Sequence, residues 1–279
     1  MKKSLCLLLI CLLLFGCSKR QEEIKKEYSF NIGYSTNLLN ETDREEIKKI
    51  FEDNNLSNID LFFNLLNDYN KEEDLGCNLN DYIDTSKVNY DEVKCINRYE
   101  KNHEVSDGDC RITAFALIQS KLKIKEKQQN YGTYLMFDLD VLENNNDYKV
   151  VNDHFDEFVT LYDEIDVSKV KKENLENVFT NKWEDYGISI DNGNVSLISV
   201  VMHDEYDDLL FVGHTGVLIN LDDKYLFIEK LAFEMPYQIT VIKSPQDLKE
   251  LFSKRANYFS FEGANGPYVY QNDKLIFSY

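Results

Sequence analysis

The sequence contains few of the residues that break or cross-link a chain. It has three prolines and 11 glycines among 279 residues, which excludes a collagen-like chain or a linker rich in proline and glycine. Its six cysteines are too sparse for a disulfide-based scaffold. Hydrophobic residues make up 43% of the chain. We therefore predict a folded globular protein rather than a fibre or a disordered segment.

The apolar run near the amino terminus is too short to cross a membrane. It covers residues 5–15, whereas a membrane-spanning helix needs about 20 residues, and it follows Lys2 and Lys3 as in a secretory signal peptide. The run ends in Leu-Phe-Gly-Cys at Cys17, which resembles a bacterial lipobox. That resemblance implies a lipoprotein signal peptide at residues 1–16 and a lipid on Cys17. The alternative is an ordinary signal peptide with an incidental cysteine.

The lipobox resemblance also implies a location and a first partner. The mature chain would lie on the extracytoplasmic face of the cell membrane, anchored by its N-terminal lipid. Residues 17–30 are charged and are predicted to form a tether, followed by a single α+β domain at residues 31–279. The formal net charge of −19 repels nucleic acid and anionic lipid. We expect no nucleic-acid partner, whereas cationic groups of a cell wall or a peptide would be attracted.

Helical patterns come first along the chain and strand patterns follow. Capping patterns at Thr42 and Ser57 predict a helical hairpin, and the run at residues 134–142 predicts a strand or an extended segment. The remaining predicted helices are residues 90–99, 151–165, 168–186 and one that begins at Ser244. The predicted strands are residues 195–203, 209–221, 224–233, 237–243, 268–271 and 274–279. This order of helices and then an antiparallel sheet predicts an α+β fold.

Cys110 stands where a polar turn meets an apolar helix. Asp107 or Asp109 can cap the free N–H groups of the first helical turn. The positive end of the helix dipole favours a thiolate at Cys110. Cys77 and Cys95 are the other cysteines of the predicted domain; whether they pair stays open, and pairing would leave Cys110 as a free thiol.

His214 is the one histidine inside a strongly apolar predicted strand. If the next hairpin turns at residues 222–223, Gly216 lies opposite Glu229. Partners directly opposite each other share a face of the sheet, as do residues two apart on one strand. Glu229 is therefore predicted to reach His214 on the diagonal, past a residue without a side chain.

These residues form a candidate catalytic triad. Cys110 would be the nucleophile, His214 would take its proton, and Glu229 would orient the ring, with Gln238 as the rival for the orienting role. Against this, the two aspartates beside Cys110 would raise the pKa of its thiol. The alternative is that Cys110 is a small core residue and His214 a hydrogen-bonded, half-buried one.

The pattern resembles papain-like cysteine hydrolases, and in particular bacterial cell-wall amidases and endopeptidases of the NlpC and CHAP type. The resemblance is carried by a cysteine that opens a helix, a strand with His214, Gly216 and Ile219, and a polar residue on a following strand. It implies a helix packed on a sheet and hydrolysis of an amide bond in a cell-wall peptide or a protein. The acidic residues before Cys110 and the helical insertion at residues 144–186 depart from the pattern.

A second resemblance spans most of the predicted domain. Residues 108–115, 212–219, 227–230 and 236–238 are similar to an uncharacterised lipoprotein family of Gram-positive bacteria, domain of unknown function forty-three hundred. This resemblance implies a cell-surface lipoprotein and no established activity. The second function hypothesis is therefore a non-catalytic lipoprotein that binds a surface partner.

No cofactor or metal is expected from the sequence. His203 and His214 lie on neighbouring predicted strands, but no short-spaced ligand pair accompanies them, so a charged turn is the better interpretation of residues 203–205. The sequence has neither a glycine-rich phosphate loop nor a Gly-x-Ser-x-Gly elbow.

Overall fold

A computed structural model describes residues 28–71, 77–79, 82–102, 107–191, 193–255 and 266–279. The predicted signal peptide, Cys17 and most of the predicted tether lie outside these residues. The α-helices of the described residues are α1 (Glu41–Asp53), α2 (Ile59–Lys71), α3 (Glu92–Asn102), α4 (Cys110–Ile118), α5 (Met136–Asn144), α6 (Lys149–Asn152), α7 (Phe155–Tyr162), α8 (Leu175–Asp185) and α9 (Leu248–Ser253). The β-strands are β1 (Tyr34–Thr36), β2 (Ile83–Asp84), β3 (Leu122–Lys123), β4 (Ile165–Asp166), β5 (Ser189–Ile190), β6 (Val195–Asp204), β7 (Leu209–Asn220), β8 (Tyr225–Lys230), β9 (Tyr237–Ile242), β10 (Tyr268–Gln271) and β11 (Lys274–Ser278).

The predicted helical hairpin is present, although α1 begins differently from the prediction. The helix buries Ile47, Ile50 and Phe51, whose spacing gives it one apolar face. Its cap is Asn40 rather than Thr42, because the Asn40 side chain accepts a hydrogen bond of 2.8 Å from the Thr42 N–H. The apolar spacing therefore predicted the helix correctly, while the capping pattern at Thr42 placed its start too late.

The strand predicted at residues 134–142 is wrong. This run forms a short 3₁₀ turn followed by α5. Its buried residues are Leu135, Asp138, Val141 and Leu142. Their separations of three and four residues place them on one side of a helix. Short apolar runs fit a strand or a helix equally well by composition, and tertiary packing decided this one.

Nine strands of the described residues form one sheet in the order β11-β10-β6-β7-β8-β9-β1-β2, with β4 paired to β7. Each of its strand pairs is antiparallel. The strands predicted in the carboxy-terminal half are present, and two short strands from the amino-terminal half extend the sheet beyond β9. A separate pair is formed by β3 and β5. Helices followed by a large antiparallel sheet confirm the α+β class; the papain-like resemblance stays a prediction.

The central strands are covered on both faces. Helix α4 packs against β7 and β8 and shares the larger core cluster with Val217 and Ile219. Leu218, between those two residues, lies instead in a smaller cluster with Phe252 of α9. Because successive strand residues point to opposite faces, α4 covers one face of the central strands and α9 covers the other.

Across the described ranges, no helix combines the length and the apolar character that crossing a bilayer requires.

Candidate functional site

His214 and Glu229 meet on the face of the sheet that α9 covers. His214 lies four positions before Leu218 on β7 and therefore shares its face. Its ring centroid is 6.3 Å from that of Phe252. The His214 Nε2 atom is 2.7 Å from Glu229 Oε2. The structure therefore brings together two of the three residues that were predicted to be catalytic.

The predicted register between β7 and β8 accounts for this contact. Val217 lies opposite Ile228, which puts Gly216 level with Glu229, as predicted. A Cβ atom on Gly216 would come within 2.6 Å of the Phe227 ring and of the Ile228 carbonyl oxygen. Glycine is therefore required here so that Phe227 can pack beside the pair.

Cys110 lies on the opposite side of the sheet. It is 6% exposed and opens α4, the helix that shares a core cluster with Val217 and Ile219, and its thiol lies near the Thr215 backbone. The His214 side chain, next along β7, points to the other face. Burial raises the pKa of the Cys110 thiol, and the charge of Asp109 adds to this. The catalytic roles of Cys110, His214 and Glu229 therefore stay predictions.

The carboxylates beside Cys110 make structural contacts. Asp109 caps α4, because its side chain accepts two backbone N–H groups of the first turn at 2.9 and 3.1 Å. Asp107 accepts a hydrogen bond from the Tyr148 hydroxyl and lies 3.5 Å from the Lys230 ammonium. Of the two predicted caps, Asp109 is therefore the one that acts, and Asp107 belongs to a buried ion pair.

Glu229 is the centre of a buried polar network. Arg255 donates to both of its carboxylate oxygens, at 2.6 and 2.7 Å, in addition to the hydrogen bond with His214. Burial alone would raise the pKa of Glu229, but the charge and hydrogen bonds of Arg255, together with the His214 hydrogen bond, outweigh it and hold the pKa at about 2. Glu229 is therefore an anion at neutral pH, held by a bidentate arginine.

The His214 ring is neutral at pH 7. Burial lowers its pKa below 6.5, and the hydrogen bond and charge of Glu229 offset only part of this effect. An ionised carboxylate can only accept a hydrogen bond, so we assign the ring proton to Nε2. In this state His214 donates to Glu229, which fixes the orientation of the ring.

Gln238 joins the network through Glu229 rather than through His214. Its amide nitrogen donates to Glu229 Oε1 at 3.2 Å, and its amide oxygen accepts from the Tyr90 hydroxyl at 2.7 Å. The Asn37 side chain in turn donates to the Tyr90 hydroxyl oxygen at 2.9 Å. Glu229 is thus the residue that contacts the imidazole, and Gln238 links Glu229 to the segment before α3.

An open cleft adjoins this network. It has a volume of about 330 Å³ and is walled by residues 85–96, by the connection between β8 and β9, and by the end of α9. Tyr90, Gln238 and Arg255 line it and also belong to the network. This is the size of a site for a small ligand. We call it the α3–α9 cleft.

Sequence reasoning missed Arg255 and Tyr90. Each lies in a loop next to a helix, α9 and α3 respectively. The sheet register predicts neither residue, because neither is on a strand. Arg255 offers one weak signal, since a cation just past a helix that packs on the sheet can reach a buried carboxylate. In the described part of the chain, no group of three or more His, Cys, Asp or Glu residues is placed to hold a metal ion.

Comparison with known proteins identifies a family. The family described as Domain of unknown function (DUF4300) matches residues 34–276 of the chain. No curated protein and no solved structure matches the chain significantly. The matched range includes the network and the α3–α9 cleft, but the family description names no activity.

Proposed function

Since the chain belongs to the DUF4300 family, a domain of unknown function, we propose its function from the geometry of the α3–α9 cleft. The protein is an extracytoplasmic lipoprotein, anchored through a lipid on Cys17, that binds a short peptide-like ligand in this cleft. It acts as a binding protein and not as a catalyst. The lipid anchor is supported by the lipobox resemblance of the sequence.

One observation carries the binding proposal: the cleft and the buried ionic network share residues. Arg255, with its side chain 19% exposed, reaches from the cleft to a Glu229 carboxylate that is fully buried. A buried charge pair contributes little net stability compared with apolar packing. A charged group in the wall of a cleft is instead typical of a site that orients a polar ligand group.

The lining of the cleft indicates the chemistry of the ligand. Apolar side chains such as Val88, Leu231 and Met235 alternate with hydrogen-bonding groups such as Tyr90 and Gln238. The side-chain amide of Gln238 and the hydroxyl of Tyr90 can each donate and accept hydrogen bonds. An amide backbone with small apolar side chains suits such a surface, and this is the chemistry of a cell-wall peptide.

Isothermal titration calorimetry with soluble peptidoglycan fragments tests the proposal. We expect saturable binding to the wild-type protein. The Ile96→Trp variant, which fills the cleft from α3, is expected to bind at least about tenfold more weakly, a loss of about 1.4 kcal/mol. Val93→Trp is the matched control, because Val93 is on the same helix, is 67% exposed and does not line the cleft. Absent binding, or equal affinities for the three proteins, would contradict the proposal.

The anchor requires its own experiment. Metabolic labelling with an alkyne-tagged fatty acid is expected to label the wild-type chain and not the Cys17→Ser variant. The variant is expected in the soluble extracellular or cell-wall fraction. Equal labelling of both chains would contradict the anchor while leaving the binding proposal intact.

The cysteine-hydrolase hypothesis has less support. It requires the thiol of Cys110 to meet the imidazole of His214, and these side chains lie on opposite faces of the sheet. Release of new amino groups from peptidoglycan fragments, lost in a Cys110→Ala variant, would favour it over the binding function.

A further inference from the structure

Two buried thiols lie together beside the α3–α9 cleft. Cys95, on α3, is 0% exposed, and Cys77 is 1% exposed. The Cys95 sulfur is 4.0 Å from the Cys77 carbonyl oxygen. Burial raises the pKa of Cys95, and the nearby Cys77 adds to this. The Cys95 side chain on α3 therefore packs directly against the backbone of Cys77.

We propose that Cys77 and Cys95 form a disulfide bond in the exported protein. Export is part of the proposed function, and the inference depends on it for an oxidising environment. In the reaction, the two S–H groups are replaced by one S–S bond, and the two electrons and two protons reduce the disulfide of a thiol oxidase to its dithiol. Cys110 has no role in it, because it lies at the start of α4, the helix that packs against β7.

The bond has a consequence for the cleft. It closes the loop from Cys77 to Cys95, which carries the wall residues Thr85, Val88 and Tyr90. A cross-link across such a loop restricts the conformations of the unfolded chain and of any locally opened state. The wall of the ligand site is thereby fixed before ligand binds, so that less conformational freedom is lost on binding.

The same segment is already tied to the network by side chains. The Leu79 N–H donates to Asn37 Oδ1 at 2.6 Å, and the Asn37 amide donates to the Tyr90 hydroxyl. Asn37 therefore connects the residues that follow Cys77 with the residues that precede α3. The disulfide would add a covalent connection to this polar one.

Differential alkylation of the full-length, exported chain tests the proposal. The protein is denatured in the presence of iodoacetamide, which alkylates the free thiols as the first label. It is then reduced, labelled with N-ethylmaleimide as the second label, and analysed as peptides by mass spectrometry. We expect Cys77 and Cys95 to carry the second label and Cys110 to carry the first. Without reduction, the cross-linked peptide should be lighter than its two parts by the mass of two hydrogen atoms. In the Cys95→Ser variant, Cys77 should change to the first label, and Cys110→Ser is the matched control that leaves the pair linked.

The proposal would be overturned if chains that external protease can reach carried the iodoacetamide label on both Cys77 and Cys95. If the chain proves to be intracellular, the proposed export fails instead, and the purified folded protein is incubated with oxidised glutathione. Quantitative formation of the Cys77–Cys95 bond would then support the geometry alone. Persistent free thiols at both positions would overturn the inference.

Discussion

Replacing Glu229 by glutamine removes one charge from the centre of the buried network and keeps the shape of the side chain. Glu229 accepts hydrogen bonds from His214, from Gln238 and twice from Arg255. In the Glu229→Gln variant the Arg255 guanidinium loses its ion pair with Glu229 while remaining largely buried. Breaking a buried ion pair by removing one of its charges is strongly destabilising.

The magnitude follows from the pKa of Glu229. Its folded-state pKa is lowered from 4.5 to about 2, and each pKa unit corresponds to about 1.4 kcal/mol. The ionised carboxylate therefore contributes roughly 3 kcal/mol to folding at pH 7. Because the folded-state pKa is the lower one, this contribution is complete above pH 4.5 and is lost as the pH falls towards 2.

Urea unfolding at pH 7 measures this contribution. We expect Glu229→Gln to lower the free energy of unfolding by roughly 3 kcal/mol. Glu250→Gln is the matched control, since Glu250 pairs with Lys254 at 2.9 Å but its side chain is 78% exposed. Exposed pairs contribute at most about 1 kcal/mol. In a His214→Phe background, which has no imidazole at this position to titrate, the loss in free energy of unfolding caused by Glu229→Gln should become smaller as the pH is lowered.

Two results would refute the reasoning. The first is an equal loss in free energy of unfolding for Glu229→Gln and Glu250→Gln, which would mean that the network is solvated and not buried. The second concerns the His214→Phe background, where the loss in free energy of unfolding caused by Glu229→Gln would stay constant down to pH 3. The Glu229 pKa of about 2 requires this loss to decline over that range.

Three further predictions concern the same site and the thiol. Because burial raises the pKa of Cys110, iodoacetamide should alkylate it in the folded protein at least about tenfold more slowly than a free thiol; rapid labelling followed by mass spectrometry would contradict its buried placement. Because burial lowers the pKa of His214, the unfolded chain binds the proton more readily, so stability should decline as the pH falls below 6.5. Urea unfolding should show a shallower decline for His214→Phe, and an unchanged slope would count against a buried neutral ring. Tyr90→Phe removes the hydroxyl between Asn37 and Gln238 and should cost about 1–3 kcal/mol in thermal or urea unfolding; no loss would show that this chain of hydrogen bonds is not formed.

Local rules were sufficient for the start of α4 and for the register of β7 and β8. An aspartate before an apolar helical run is a strong capping signal, and Asp109 acts as that cap. A tight turn fixes the pairing of the two strands that it joins. The contact between His214 and Glu229 followed from that pairing, because it depends on a single hairpin.

The side of the sheet on which α4 packs could not be predicted from the sequence. Strand β7 is apolar on both faces, with Val217 and Ile219 on one and Leu218 on the other. Strands buried on both faces lack the polar alternation that marks the solvent side. The residue types of β7 therefore did not show whether Cys110 would lie on the same face of the sheet as His214 or on the opposite one.

Hydrogen–deuterium exchange with and without soluble peptidoglycan fragments tests the central claim most directly, because it reports where a ligand binds. The proposed function predicts slower amide exchange at residues 85–96 and 231–238 on addition of the fragments, and unchanged exchange in α5. Unchanged exchange along the whole chain, or protection confined to the face that α4 covers, would contradict the assignment of the α3–α9 cleft as the ligand site.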